Sequence, residues 1–249
     1  MKVLKFSMLI FALLATGCAV TTNRLHPNLV EELKQVEKIV IAPPDVSINL
    51  IKFKGDNERI SEEEERYKQV IVKFAEEKLV QSGFTVVDFD FKNAIDEDSE
   101  FAYLVNQVKE DFEVAKKDLK AGLSISENEA KKLQSKVGEA VNQVSNKTGA
   151  DAILLIRYEG FKKSEGQIAK DIGTSVLVGV LTLGSVVPVQ PASGALAEVA
   201  MIDGTTGEVL WTDVKQGTLS ELVARSTLTT LPLDVDAPLA DSVEGIDKN

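Results

Sequence analysis

Apolar side chains recur along this chain with two different periods. Lys38-Ile39-Val40-Ile41-Ala42 is a compact apolar run halted by Pro43-Pro44, and it predicts a strand. Residues 45–60 are polar and read as irregular. Ser61 with Glu64 has the spacing of a capping box, and Tyr67, Val70, Ile71, Phe74 and Leu79 then mark one face of a helix that Gly83 should end. Phe84 to Phe89 predicts a second strand, and 90–98 is an acidic loop.

Two long helices are predicted next. Phe101, Leu104, Val105, Val108, Phe112, Ala115 and Leu119 step by three and four from about Glu100 to Ala121, and Gly122 closes that helix. A second box, Ser126 with Glu129, opens another, with Ala130, Leu133, Val137, Ala140, Val141, Val144 and Thr148 on its face and Gly149 at its end. The short joint predicts a helical hairpin over about 99–149. It is either two ordinary helices covering a sheet or a projecting hairpin used for assembly.

Ala152 to Tyr158 is nearly continuous in apolar residues, the mark of a strand buried on both faces. Residues 159–171 are charged. A strand from about Glu198 to Ile202, the turn Asp203-Gly204-Thr205-Thr206-Gly207 and a returning strand from Glu208 to Lys215 form a hairpin that should bury Trp211. The stretch 216–228 holds a last short helix. The order predicts an α/β domain over 38–231, with a mixed sheet and flanking helices. Residues 232–249 read as a disordered acidic tail.

Between these elements, Ile172 to Ala197 carries no charged side chain. Its uncharged length qualifies it as a membrane span, but Gly173, Gly179 and Gly184 weaken a helix, and Pro188 and Pro191 end one. Three uses stay open: a helix buried against the sheet, a subunit contact through residues such as Leu177, Val180, Leu181 and Leu183, or insertion into the outer membrane. As membrane-inserted strands, Val176 to Leu181 lacks the required alternation.

The N-terminus is an address. Lys2 and Lys5 precede an apolar run, Phe6 to Ala15, too short to cross a bilayer. Residues 1–17 therefore read as a signal peptide. Leu14-Ala15-Thr16-Gly17-Cys18 resembles a bacterial lipobox, which makes Cys18 the acylated first residue of the mature protein, carrying a diacylglyceryl thioether and an amide-linked (palmitate-type) chain. Two or three chains hold a protein firmly on a membrane. Ala19 follows instead of Asp; in two-membrane bacteria this favours the outer membrane, with the body in the periplasm. Residues 18–37 read as the lipidated end and a tether with one short helical stretch at Val30, Leu33 and Val36.

Composition narrows the chemistry. The 249 residues include one Cys and one His, so neither an internal disulfide nor a Cys/His zinc centre is available, and no cofactor or metal is expected. The formal charge of −11 becomes −13 once Lys2 and Lys5 are removed. An acidic body repels nucleic acid and anionic headgroups alike, so the acyl chains must hold the membrane. A Ser-His-Asp unit would have to use His26, in a stretch that reads as unstructured. The acidic runs Glu62–Glu65 and Asp96–Glu100 read as solvated charges at a helix start and in a loop. No nucleotide-binding glycine loop, GxSxG or HExxH occurs.

Several segments together resemble a group of envelope lipoproteins. They are the lipobox, Ile39-Val40-Ile41-Ala42-Pro43-Pro44, Ser82 to Val87, Thr148 to Leu154, and the hairpin from Ile202-Asp203 through Gly207 to Leu210-Trp211. The group includes the curli secretion channel subunit, the outer-membrane activators of peptidoglycan synthases and the N-terminal domain of TolB. The resemblance spans about 38–217, and the helix near 100–121 is additional to it. It implies a small anticodon-binding-domain-like α/β fold and a non-enzymatic role, by protein–protein contact in envelope assembly or export. Partners would be other copies of the chain or envelope proteins. An oligomeric export pore is the alternative, and an envelope hydrolase with an unrecognised carboxylate site a remoter one.

Overall fold

A computed structural model describes residues 21–121, 135–171 and 191–231. Cys18, the segment 172–190 and the tail from 232 lie outside the described residues. One mixed sheet carries helices on both faces, as the order of elements predicts.

The sheet is organised around β6 (Ala152–Lys163). One flank pairs antiparallel with β7 (Ser193–Asp203) along almost its full length, from Ala152↔Asp203 to Lys162↔Ser193. Its other flank is shared by two parallel strands. β2 (Lys38–Ile41) lies beside 152–154 and β3 (Asp45–Ile51) beside 157–163. Residues 42–44 on this flank face only Leu155 and Ile156, so Pro43-Pro44 makes a bulge and the chain resumes on the same strand edge. The expected irregular stretch 45–60 is therefore mostly β3 with β4 (Glu58–Arg59) against it. β8 (Val209–Gly217) pairs antiparallel with β7, and β5 (Thr85–Val86) closes the far edge beside β2.

Beyond β8 lies a strand within the expected tether. β1 (Thr21–Leu25) pairs antiparallel with β8, from Thr21↔Lys215 to Leu25↔Trp211. The tether reading is corrected from Thr21 onward: the chain is already in the sheet there. A short helix, α1 (Leu29–Leu33), follows and buries Leu29 and Leu33.

The continuous apolar run in β6 has a direct cause. Leu154, Ile156 and Tyr158 face one core, with Tyr67, Ile71, Ala75 and Leu79 of α2 (Ser61–Gln81) and Ala224 and Leu228 of α6 (Glu221–Leu228). Ile153 and Leu155 face the other, with α4 (Ser99–Ala121) and α5 (Ala140–Thr148). Phe101, Val105, Val108 and Phe112 of α4 and Val141 and Val144 of α5 are buried there. Trp211 is fully buried, as the hairpin predicts.

Three local expectations need correction. The acidic stretch 90–98 contains α3 (Phe91–Glu97), capped by Asp90 accepting from the Asn93 N–H at 3.0 Å. The second long helix does not run unbroken to Thr148: its last part is α5, from Ala140. Residues 135–139 are not helical. Val209 N–H donates to Ser135 O at 2.9 Å and Val137 N–H to Gly207 O at 2.8 Å, so their backbone groups pair with the β7–β8 turn. Val137 is buried all the same, which is why it falls on the expected apolar face. The described parts of both helices cover the sheet, and the joint expected around 122–126 lies outside the described residues. Finally, Ser61 is not a capping side chain. Glu64 is buried and accepts instead from Ile48 N–H at 3.0 Å and from Arg59 Nε and Nη2 at 2.9 Å, tying α2 to β3 and β4.

The turn between β7 and β8 rests on backbone geometry. Asp203 Oδ1 accepts from Thr205 and Thr206 N–H at 2.8 and 2.6 Å, an Asx turn. Gly207 has φ +73°, and a Cβ there would lie 2.7 Å from Val137 O. Gly207→Ala should therefore lower stability by about 1–3 kcal/mol, read as a lower Tm. Glu64→Gln tests the buried carboxylate. Despite burial, Arg59 and the Ile48 N–H hold Glu64 below the ordinary carboxylate range. Its contribution is present above the unfolded pKa and is lost as pH falls through the lower folded value. The variant should be less stable by about 1–2 kcal/mol at pH 7, with the difference shrinking below about pH 4 in denaturant titrations.

Candidate functional site at one end of the sheet

Strand directions separate the sheet into two ends. β3 and β6 run to one end, where β3 stops at Ile51 and β6 at Lys163; β7 begins there at Ser193, and β8 finishes there at Gly217. β1 starts at the same end, because Thr21 sits opposite Lys215. The proposed anchor Cys18 is three residues before Thr21. The uncharged segment containing Leu177, Val180, Leu181 and Leu183 leaves after Asp171 and the chain rejoins the described fold at Pro191, also at this end; the expected insert 172–197 is thereby shortened, because Ser193 to Ala197 already belong to β7. The structure does not bring those four residues or Cys18 together, since they lie outside the described residues; it places the points where their segments meet the fold.

A groove of about 1090 Å³ opens at this end. Its walls include Ile51, Phe161, Pro191, Ala195 and Leu196, with Glu159 the one charged wall among the described residues. Gly160 and Gly194 shape it by letting side chains lie flat on the backbone: a Cβ on Gly194 would stand 2.6 Å from the Phe161 ring, and one on Gly160 2.5 Å from Leu219 Cδ1. Lys163 N–H donates to Ala192 O at 2.8 Å and Ser164 N–H to Ile51 O at 2.9 Å, which joins the chain flanking 172–190 to the sheet.

Beside the groove, the ring of Phe53 is 47% exposed. Lys54 and Lys170 hold their ammonium groups 5.9 and 5.4 Å from its centroid, within cation–π range. Lys162 pairs with Glu63, and Lys163 pairs with Asp171, whose carboxyl is held below its ordinary range by that ammonium. The lysines here thus have defined neighbours, and the corner exposes an aromatic ring among its charged side chains.

Two polar clusters lie elsewhere. At the opposite end, His26 is buried, not part of an unstructured stretch. Asn28 N–H donates to its Nδ1 at 3.2 Å, and its Nε2 lies 3.1 Å from Glu208 Oε2. Lys136 Nζ approaches the other oxygen of Glu208 at 3.1 Å. Ligand atoms of His26, Glu32 and Glu208 lie within 4.8 Å of one another, a spacing a cation could draw together. The hydrogen bonds speak against it. With Nδ1 accepting, the neutral ring carries its proton on Nε2 and donates it to Glu208, leaving Nε2 no lone pair for a metal. The cluster instead locks the end of β1 to the turn after β7.

The second cluster joins α4 to the sheet. Lys116 Nζ lies 2.7 Å from Glu198 of β7 and 2.6 Å from Glu113, and Arg157 of β6 reaches Glu113 at 2.9 Å. Lys116 and Glu198 are both buried. A cavity of about 40 Å³ beside them is also lined by Lys109, whose ammonium is pushed toward a lower pKa by burial. Cations and carboxylates here are matched to one another, and the space is too small for a substrate; the network positions α4. Sequence reasoning missed it because Lys116 and Glu198 are 82 residues apart.

No protein family matches the chain, and no curated protein does. Among solved structures, it is similar to the PelC dodecamer from Paraburkholderia phytofirmans, at 8% identity over 85% of this chain and 93% of that one, with a TM-score of 0.33. A single-residue variant of that dodecamer gives 7% identity, the same coverage and a TM-score of 0.34. The LpoB C-terminal domain from Salmonella enterica gives 12% identity over 76% of this chain and 93% of that one, with a TM-score of 0.24. Among the described residues, no helix is long and apolar enough to cross a membrane.

Lys116→Met should cost about 3 kcal/mol by leaving Glu198 buried beside a lost partner. Lys116→Met combined with Glu198→Leu should recover most of that loss in urea unfolding, since the unpaired charge is then gone.

Proposed function

We propose that this chain is an outer-membrane lipoprotein, held by acyl chains on Cys18 with its body in the periplasm, and that it acts without catalysis by protein–protein contact in envelope assembly or export. The observation that carries the reading is the lipobox-like Leu14-Ala15-Thr16-Gly17-Cys18, whose lone thiol stands three residues before the first strand of a folded domain. Tethering confines the body to a thin layer and raises its effective concentration toward membrane partners. The uncharged segment, with Leu177, Val180, Leu181 and Leu183, supplies the surface for another copy or an envelope partner. On this reading the sheet and its helices are a version of the anticodon-binding-like domain that the sequence resemblance implies, enlarged by α4.

One observation favours the export-pore alternative as a second reading. β6 and β7 are antiparallel neighbours from Lys162↔Ser193 onward, so the uncharged segment is an insertion into a hairpin connection, a topology that lets two extended arms leave the sheet side by side. The non-alternating run Val176 to Leu181 counts against it.

The deciding experiment uses the full chain expressed in a two-membrane bacterium. Mass spectrometry of the N-terminal peptide should find Cys18 acylated and the protein in the outer-membrane fraction. Photo-crosslinkers at Leu177 and Leu181 should then yield a defined adduct with a second copy or an envelope protein. A ring-sized mass in detergent favours the pore and a monomer favours contact activation. A mature chain that starts elsewhere with the thiol unmodified overturns the proposal.

A further inference from the structure

The length of chain between the anchor and the fold is set by β1. A tether running to residue 37 would let the body roam; because Thr21 is already paired with Lys215, only Ala19 and Val20 stand between it and Cys18. At about 3.3–3.6 Å per residue, Thr21 lies within roughly 10–11 Å of the acylated residue. We propose that the sheet end formed by Ile51, Lys163, Ser193 and Gly217, with the ring of Phe53, rests on the lipid surface of the membrane. This rests on Cys18 being lipidated.

Three independent features agree. Both junctions of the uncharged segment, after Asp171 and before Pro191, are at this end and not at the other. Phe53 presents an exposed ring between the long side chains of Lys54 and Lys170, the aromatic-plus-snorkelling arrangement that suits a bilayer interface. The charge is also locally balanced: residues 51–58 and 159–171 together hold five lysines and five acids, in a chain of net −11. This end is therefore spared the repulsion that an anionic headgroup layer exerts on the rest of the body. The opposite end, with the turn 204–207, stands off by the length of β6, twelve residues or about 36–40 Å.

Because the only native cysteine carries the acyl chains, Phe53→Cys and Thr205→Cys each add a single labelling thiol at an exposed position. The full-length lipidated protein would be labelled with a nitroxide, reconstituted in vesicles of phosphatidylethanolamine and phosphatidylglycerol, and probed with oxygen and a water-soluble nickel complex. The label at 53 should collide more often with oxygen and less often with nickel than the label at 205 in the same vesicles. A ten-residue Gly/Ser insertion between Ala19 and Val20 should weaken the shielding at 53. Co-sedimentation with vesicles while both labels stay open to nickel, or shielding at 205 in place of 53, overturns this orientation and leaves the lipoprotein reading standing. Failure to co-sediment, with an unmodified Cys18, overturns both.

Discussion

Everything in this fold depends on one strand being apolar on both sides and paired along both edges. β6 places Leu154, Ile156 and Tyr158 in one core and Ile153 and Leu155 in the other, so neither helical layer has a sheet to cover without it. Its two flanks differ in kind. On one side β7 runs antiparallel over nearly the whole length; on the other β2 and β3 share it in parallel, separated by the Pro43-Pro44 bulge. Tyr158 extends the same logic outward: its ring stacks on Tyr67 at 4.9 Å and its hydroxyl donates to Ser220 O at 3.0 Å, so one residue of β6 positions both α2 and the approach to α6.

Polar groups inside the body serve attachment between layers. Glu64 fixes α2 to the β3–β4 edge, Lys116 and Glu198 fix α4 to β7, and His26 with Glu208 fixes β1 to the far turn. Buried charge of this kind adds little net stability over an apolar equivalent but penalises every arrangement in which the partners miss one another. Asp213 of β8 follows the same pattern. Burial pushes its carboxyl up while Thr230 O–H donates to it at 2.6 Å, pinning the chain just past α6.

Elements with strong hydrophobic periodicity are legible in the sequence: β2, the buried face of α2, α4, β6, the β7–β8 hairpin and the glycines that stop helices at 83 and 149. What escapes has a physical reason in each case. β1 is Thr-Thr-Asn-Arg-Leu, an edge strand without alternation, and only its register with β8 identifies it. The 135–139 stretch buries Val137 outside a helix, at a spacing that a helix would also satisfy. Glu64 reads as solvated because it stands in an acidic run, and its partners Ile48 and Arg59 come from the strands before it. For the candidate site, the two special segments can be read from composition, but their arrival at a common end of the sheet depends on strand directions that no local pattern encodes.

The placement of β1 also has a mechanical consequence. A force drawing the N-terminus away along the strand axis loads the β1–β8 ladder in shear, so its hydrogen bonds share the strain together; they would fail one after another if the strand were peeled sideways. Five register pairs and the His26–Glu208 contact resist that load. The strand Thr21–Leu25 can therefore work as a stiff strut through which tension enters the sheet.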